Sequence, residues 1–344
     1  MSSGIQTKTS QSYPERAVPS RNGTLFEPRV VERLGIWNVA DLVSVGKCFF
    51  CNNEGGREVA VRQDGLVIHE CAGCGLAYVD PKPSPEQLVQ YYTDGYFSGA
   101  KDFFHGKDYC LERDKGIRDR TVTGYREIIT HLDLEGKAVL DVGCASGALL
   151  CLLRQRRASE LVGIDSAEYP IAFGIEHYAL DLRCSSLETA QLPSAHFDLV
   201  TLIDVIEHVE NLNSFMVEVR RVLKPGGHLF IITPNYLSYS LARQDWSCLY
   251  KDFEHLQYFS EQSLREVCAS VGIRLLKSWS DSIPFRTLEY PHLYKSGVHR
   301  LLHPWVAAQN SLAQIRYRQA VATQAWAGSN LIAILRAPEI ETYG

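Results

Sequence analysis

The stretch KAVLDVGCASG, Lys137 to Gly147, constrains the chain more than any other. Its apolar residues predict a buried strand over Ala138–Val142, with Asp141 near its end. Gly143 and Gly147, with Ala145 between them, then turn the chain into a helix that begins near Ala148. A strand, a glycine turn and a helix in that order bring bare backbone and a helix N-terminus to a ligand. LVGID, Leu161 to Asp165, predicts a second strand ending in a carboxylate. It comes about 20 residues on, where a βαβ unit offers an acid to a ribose hydroxyl. Further strands are expected near Leu182–Cys184, Leu199–Ile203, Leu229–Thr233, Arg274–Ser280 and Asn330–Arg336, with helices between them. Continuous apolar strands alternating with amphipathic helices imply an α/β fold whose parallel sheet is covered on both faces.

From Tyr125 to Gly272 these landmarks resemble the class I S-adenosylmethionine (SAM)-dependent methyltransferases. The carriers are DVGCASG at Asp141–Gly147, LVGID at Leu161–Asp165, FDLVTLIDVIEHVEN at Phe197–Asn211 and LKPGGHLFIITPN at Leu223–Asn235. One departure is Ala145, which stands where that family has the central glycine of its loop. The resemblance implies a Rossmann-like seven-stranded sheet with one antiparallel strand and SAM as cofactor. It also implies a cofactor site of Asp141, Gly143, Ala145, Gly147, Asp165, Ser186, Leu187 and Asp204. Gly143 and Gly147 are expected to let backbone approach the cofactor, and Asp165 to accept the ribose hydroxyls. Ser186 and Leu187 are expected at the adenine, and Asp204 at the amino-acid end.

Upstream, CFFC (Cys48, Cys51) and CAGC (Cys71, Cys74) form two C-x2-C pairs with 19 residues between them. That spacing suits a tetrahedral zinc site of four thiolates, closed to further ligands and therefore structural. Short strands over Val59–Val67 and His69–Glu70 would make it a zinc ribbon, and His69 is read as a surface strand residue. The other cysteines read as packing residues. An apolar pattern over Phe26–Val45 suggests a helix leading into this module. Pro85–Tyr92 reads as a helix, followed by YYTDGYFSG, whose Tyr96 is a candidate lid over cofactor and substrate. Tyr109–Leu132 reads as one further helix. The organisation expected is a disordered tail over 1–25, a zinc-ribbon module over 26–84, a helical lid or linker over 85–132 and a SAM-binding domain over 133–344. A helical insertion at about 281–329 is expected either to cap the substrate or to form a dimer contact.

Two Glu-His pairs are candidates for chemistry, Glu207-His208 after the fourth strand and Glu254-His255 beyond the fifth. Both fall at the C-terminal edge of the sheet, where open α/β folds bind ligands. A histidine whose basicity a nearby carboxylate raises is a candidate general base or orienting group. EHLQYFS, Glu254 to Ser260, resembles the zinc-ribbon sugar C-methyltransferases, although the tyrosine expected two residues before the glutamate is Asp252 here. Asp204, Glu207, His208 and His255 also resemble the metal set of some quinone and RNA-end O-methyltransferases. In that case a divalent ion would orient and acidify a hydroxyl.

The 344 residues carry a net charge of -5, which leaves no basic field for nucleic acid. No apolar run approaches the ~20 residues that span a bilayer, and no apolar signal core opens the chain. The expectation is a cytoplasmic monomer or homodimer that methylates a small polar metabolite, such as a sugar, a nucleotide-linked sugar or a natural-product intermediate. The alternatives are a ribosomal-RNA-type methyltransferase gripping RNA with its ribbon, a metal-assisted O-methyltransferase, and, least favoured, a scaffold without turnover.

Overall fold

A computed structural model describes residues 36–93, 97, 108–242, 247–249, 252–280 and 330–339. The expected tail, residues 26–35 of the expected leading helix, Tyr96 and the 281–329 insertion lie outside the described residues. Residues 36–45 hold only a 3-10 turn, Val39–Asp41, in place of the expected helix.

The cysteine module contains β1 (Gly56–Val61), β2 (Val67–Cys71) and β3 (Ala77–Val79). The expected single strand Val59–Val67 is instead two strands of a hairpin. Asp64 and Gly65 turn the chain, Gly65 at φ +85°, and Arg62 N–H donates to the Leu66 carbonyl at 2.9 Å. Asp-Gly is a strong turn signal, because it supplies the left-handed backbone that a tight return needs. Helix α1 follows (Pro85–Thr93), with proline in its first turn, where a missing N–H costs nothing.

The expected helix over Tyr109–Leu132 is two helices, α2 (Tyr109–Asp119) and α3 (Tyr125–His131). Arg120 ends α2 in the left-handed region, the β-branched Thr121, Val122 and Thr123 follow, and Gly124 has φ +78°. A Cβ on Gly124 would lie 2.5 Å from the Ile203 Cδ1, so the break is also a close approach to the sheet.

The remaining elements are β4 (Ala138–Val142), α4 (Ala148–Leu153), β5 (Glu160–Asp165), α5 (Glu168–Tyr178), β6 (Asp181–Cys184) and β7 (Phe197–Ile203). After them come α6 (Leu212–Val222), β8 (Leu223–Pro234), α7 (Tyr236–Ala242), β9 (Gln257–Tyr258), α8 (Glu261–Ala269), β10 (Arg274–Ser280) and β11 (Asn330–Arg336). Seven strands form one sheet in the order β10-β11-β8-β7-β4-β5-β6, with β11 antiparallel to both neighbours. Alternate strand residues enter two cores. Leu140, Val142, Val200 and Leu202 pack on one face, and Val139, Leu199, Phe230 and Ile232 on the other. This alternation is what a sheet covered on both sides requires.

The cysteine module is fused to the sheet domain rather than tethered to it. Cys48, Leu76 and Tyr78 belong to the same core as Phe215 and Leu264. Moreover, β9 adds to β3, giving a second sheet in the order β1-β2-β3-β9. None of the described helices is long and apolar enough to cross a membrane.

Helix α5 presses Gly174 onto the turn after β4: a Cβ there would lie 2.3 Å from the Ser146 carbonyl oxygen and 2.5 Å from the Leu182 Cδ1. Overpacking of this kind costs about 1–3 kcal/mol. Gly174→Ala is therefore expected to lower the thermal unfolding midpoint by several degrees (about 2–4 °C per kcal/mol), as differential scanning fluorimetry would show.

Candidate active site

The parallel strands β4, β5, β7 and β8 end at one edge of the sheet, and the predicted cofactor residues gather there. The turn after β4 is left-handed at Gly143 (φ +70°), Ala145 (+47°) and Gly147 (+75°). Ala145 holds this conformation despite its Cβ, at a cost of about 1–2 kcal/mol. The glycines have a packing reason that the sequence did not show. A Cβ on Gly143 would lie 2.4 Å from the Val205 Cγ2, and one on Gly147 2.9 Å from the Leu180 Cδ1.

The carboxylate of Asp165 ties the turn to β5, accepting from the Ala145 N–H at 2.9 Å and the Ala167 N–H at 2.8 Å. Asp141 is buried and accepts from the Thr201 hydroxyl at 2.6 Å. Burial pushes its carboxyl up to about 7. Arg113 on α2, packed over the Tyr109 ring at 4.9 Å, is a cation that feels Asp204 and Asp141; no motif pointed to it. Asp204 is exposed at the end of β7, in the left-handed region at φ +55°. After β6, Leu187 is buried and Ser186 exposed, its hydroxyl 3.1 Å from that of Thr189.

The two Glu-His pairs converge. Glu207 and His208 occupy a 3-10 turn, Ile206–His208, just past β7. The Leu256 N–H donates to the Glu207 carbonyl at 2.8 Å, and the Gln257 amide to the Ile206 carbonyl at 2.7 Å. These bonds bring the His208 and His255 rings to 4.6 Å, nearly perpendicular. Donor atoms of Glu207, His208 and His255 lie within 4.8 Å of one another, and so do those of Cys248, Asp252 and His255. Asp204, expected with the first set, is not part of it.

The hydrogen bonds seen for the two carboxylates among the described residues run to other partners than the histidine beside each. Glu254 accepts from the Tyr91 hydroxyl at 3.1 Å, while Glu207 Oε2 accepts from the Thr233 hydroxyl at 2.9 Å. The other Glu207 oxygen is buried without a hydrogen-bond partner among the described residues. Burial pushes the Glu207 carboxyl well above the ordinary range, with Asp204 adding to the effect. Burial lowers His208, although Glu254 and a bond to its main chain pull the other way. The Tyr92 hydroxyl, its own pKa raised by burial, meets the His208 Nδ1 at 3.0 Å. Among the described residues Tyr92 reaches His208, Tyr91 reaches Glu254, and the Tyr258 ring lies 6.0 Å from that of His255. The first two of these belong to the tyrosine-rich stretch whose Tyr96 lies outside the described residues.

In the cysteine module, the Cys48 and Cys74 sulfurs are 3.7 Å apart and those of Cys51 and Cys71 3.4 Å. All four fall within 4.8 Å of one another. A tetrahedron of thiolates about 2.3 Å from zinc has edges of about 3.8 Å, so the set fits the ion. His69 lies apart, bonded to the Asp80 carbonyl at 3.0 Å. All ten cysteines are free of disulfides.

Comparison with known proteins agrees with this architecture. Residues 118–278 match the family model described as a methyltransferase domain. The chain is 37% identical over 131 residues to the mitochondrial ubiquinone biosynthesis O-methyltransferase of Dictyostelium discoideum, a match covering 33% of this chain and 40% of that protein. It is 33% identical over 134 residues to the ubiquinone biosynthesis O-methyltransferase of Bradyrhizobium diazoefficiens, covering 37% and 52%. The chain thus spans about half or less of the length of the curated relatives it matches. Among solved structures it is similar to a SAM-dependent methyltransferase from Archaeoglobus fulgidus, with 18% identity, a TM-score of 0.46, and coverage of 67% of this chain and all of that one. With the strand order of the seven-stranded sheet, the family match shows that residues 118–278 are a methyltransferase domain of the class I SAM-dependent type.

Proposed function

We propose that the protein is an enzyme that transfers a methyl group from SAM to a hydroxyl of a small molecule. The observation that carries this is the convergence of Glu207, His208 and His255 at the sheet edge that also presents the β4 turn and Asp165. The donor set suits the cofactor. Asp165 is a half-buried acid for a ribose diol, while Arg113 and the carboxylates of Asp141 and Asp204 supply both signs for an ammonium and a carboxylate. When bound, SAM supplies an electrophilic methyl for in-line displacement.

The chain's own residues then have to orient the acceptor and take its proton. His208 is engaged by Tyr92 and by the Glu254 main chain, so it serves as an orienting group. His255 is assigned the proton, with the protonated Glu207 as a neutral donor toward the acceptor. Ring hydroxyls of the kind implied by the relatives' names, and sugar hydroxyls, are the two acceptor classes to screen. The four thiolates of the N-terminal module are assigned one structural zinc. A second reading, favoured by the closeness of one carboxylate and two imidazoles, places a divalent ion at Glu207, His208 and His255. Imidazole-rich sets suit Zn²⁺ or Fe²⁺ better than Mg²⁺.

Calorimetry with S-adenosylhomocysteine should show Asp165→Ala weakening binding about tenfold or more, through loss of charge-assisted bonds. His255→Ala should bind normally and lose about 100-fold in turnover on an accepted substrate; a variant that keeps full turnover would exclude His255 as the base. Because His208 is lowered, its neutral form persists below the usual imidazole value of about 6.5. The His208 ring should therefore stay uncharged from neutrality through that pH and take up a proton only in more acid solution, which the titration of its signal in ¹⁵N-histidine spectra would show. Native mass spectrometry should find one zinc per chain that survives EDTA, and Cys71→Ser should lose it. Turnover that EDTA abolishes and Zn²⁺ or Fe²⁺ restores would instead establish the second reading.

A further inference from the structure

Arg62, in the hairpin turn of the cysteine module, has no part in the chemistry described above, yet its guanidinium is completely buried. Its five N–H donors all meet acceptors. Two bonds go to Asp64, from Nε to Oδ1 at 3.2 Å and from Nη2 to Oδ2 at 2.6 Å. The other three cross to the sheet domain: Nη2 to the Phe253 carbonyl at 2.9 Å, Nη1 to the His255 carbonyl at 2.7 Å, and Nη1 to the Tyr258 hydroxyl at 3.2 Å. The two carbonyls flank Glu254, so one planar fork spans the backbone that presents His255.

Asp64 in turn is held by the Trp37 indole N–H at 2.8 Å and the Leu66 N–H at 3.2 Å. The Trp37 ring stacks on Tyr91 at 5.2 Å, and the Tyr91 hydroxyl donates to Glu254. The module therefore grips the Glu254-His255 segment twice, by its main chain and by the glutamate side chain. The segment needs such a grip. Asp252, which opens it, is left-handed at φ +60°, and buried carbonyls without partners would be costly.

We propose that Arg62 is a positioning residue for His255: its fork, locked by Asp64, fixes the main chain that aims the imidazole at the acceptor. The role in methyl transfer rests on the reading of His255 as the base. Stability alone is a poor explanation for the pair, because an apolar pair of similar volume is often as stable as a buried ion pair. A flat, two-headed donor is what two carbonyls on one loop require, and lysine cannot reproduce it.

The test uses the full chain carrying Arg62→Met with Asp64→Leu, which removes the pair without stranding a charge. Arg57→Ala, which breaks a module ion pair on exposed surface, is the control. Zinc content and S-adenosylhomocysteine affinity should stay near wild type in both, and thermal unfolding should stay near wild type in Arg57→Ala. In the double variant alone, amide exchange at His255 and Leu256 should accelerate about tenfold or more, as expected for loss of charge-assisted bonds. The His255 signal in ¹⁵N-histidine spectra should broaden or shift, and kcat on an accepted substrate should fall with KM little changed. A folded double variant with unchanged exchange and an unchanged His255 signal would overturn the proposal. If the double variant does not fold, Arg62→Lys gives the same readouts under the same criteria. Exchange and spectra need no substrate, so His255 failing as the base would appear separately, as full turnover in His255→Ala with the Arg62 result intact.

Discussion

The backbone bond from the Leu256 N–H to the Glu207 carbonyl joins the two segments that carry the histidines. It joins the turn after β7 to the loop before β9, two segments that sequence separates widely. Glu207 and His208 take their place from the parallel strands, and His255 takes its place from this bond and from the module behind it. Without the bond, each histidine would be a lone ring at a strand end, with nothing to suggest a shared task. The Gln257 amide, bonded to the Ile206 and Val209 carbonyls, repeats the same joint one residue later.

Burial then decides what those groups can do. Burial pushes the Glu207 carboxyl up, against the Thr233 hydroxyl bonded to it, and pushes the His208 imidazole down. Both shifts favour the uncharged form of the group. At the cofactor end Asp141 is treated in the same way, buried with a single hydroxyl partner, whereas Asp165 receives two backbone N–H groups. Acids of one type thus take different roles because their surroundings differ.

The cysteine module belongs to the same piece of physics. Its third strand pairs with β9, its thiols border the core that α6 and α8 cover, and its completely buried Arg62 bonds the carbonyls of the His255 loop. A module of this size has too little apolar surface to fold unaided, which gives the four-cysteine site a purpose. Once folded, it holds the His255 loop, which has only a two-residue strand of its own.

The sequence by itself determined the sheet. The parallel strands were legible because buried parallel strands are continuous apolar runs, and β4, with the antiparallel pair β10 and β11, falls on the predicted residues. It also determined the four cysteines and both Glu-His pairs, since these depend on residue type and short spacing. Local breaks were harder to see. The division of residues 109–132 at Arg120 and Gly124, and of residues 59–67 at Gly65, rests on left-handed backbone that competes with a helical or strand pattern. Only the tertiary structure decided the partners: Tyr92 for His208, Tyr91 for Glu254, Thr233 for Glu207, and Arg62 for the loop between Phe253 and His255. Those contacts join residues far apart in the chain, and they exist because packing removes water and leaves each buried polar group to find an acceptor or donor among whatever the fold brings near.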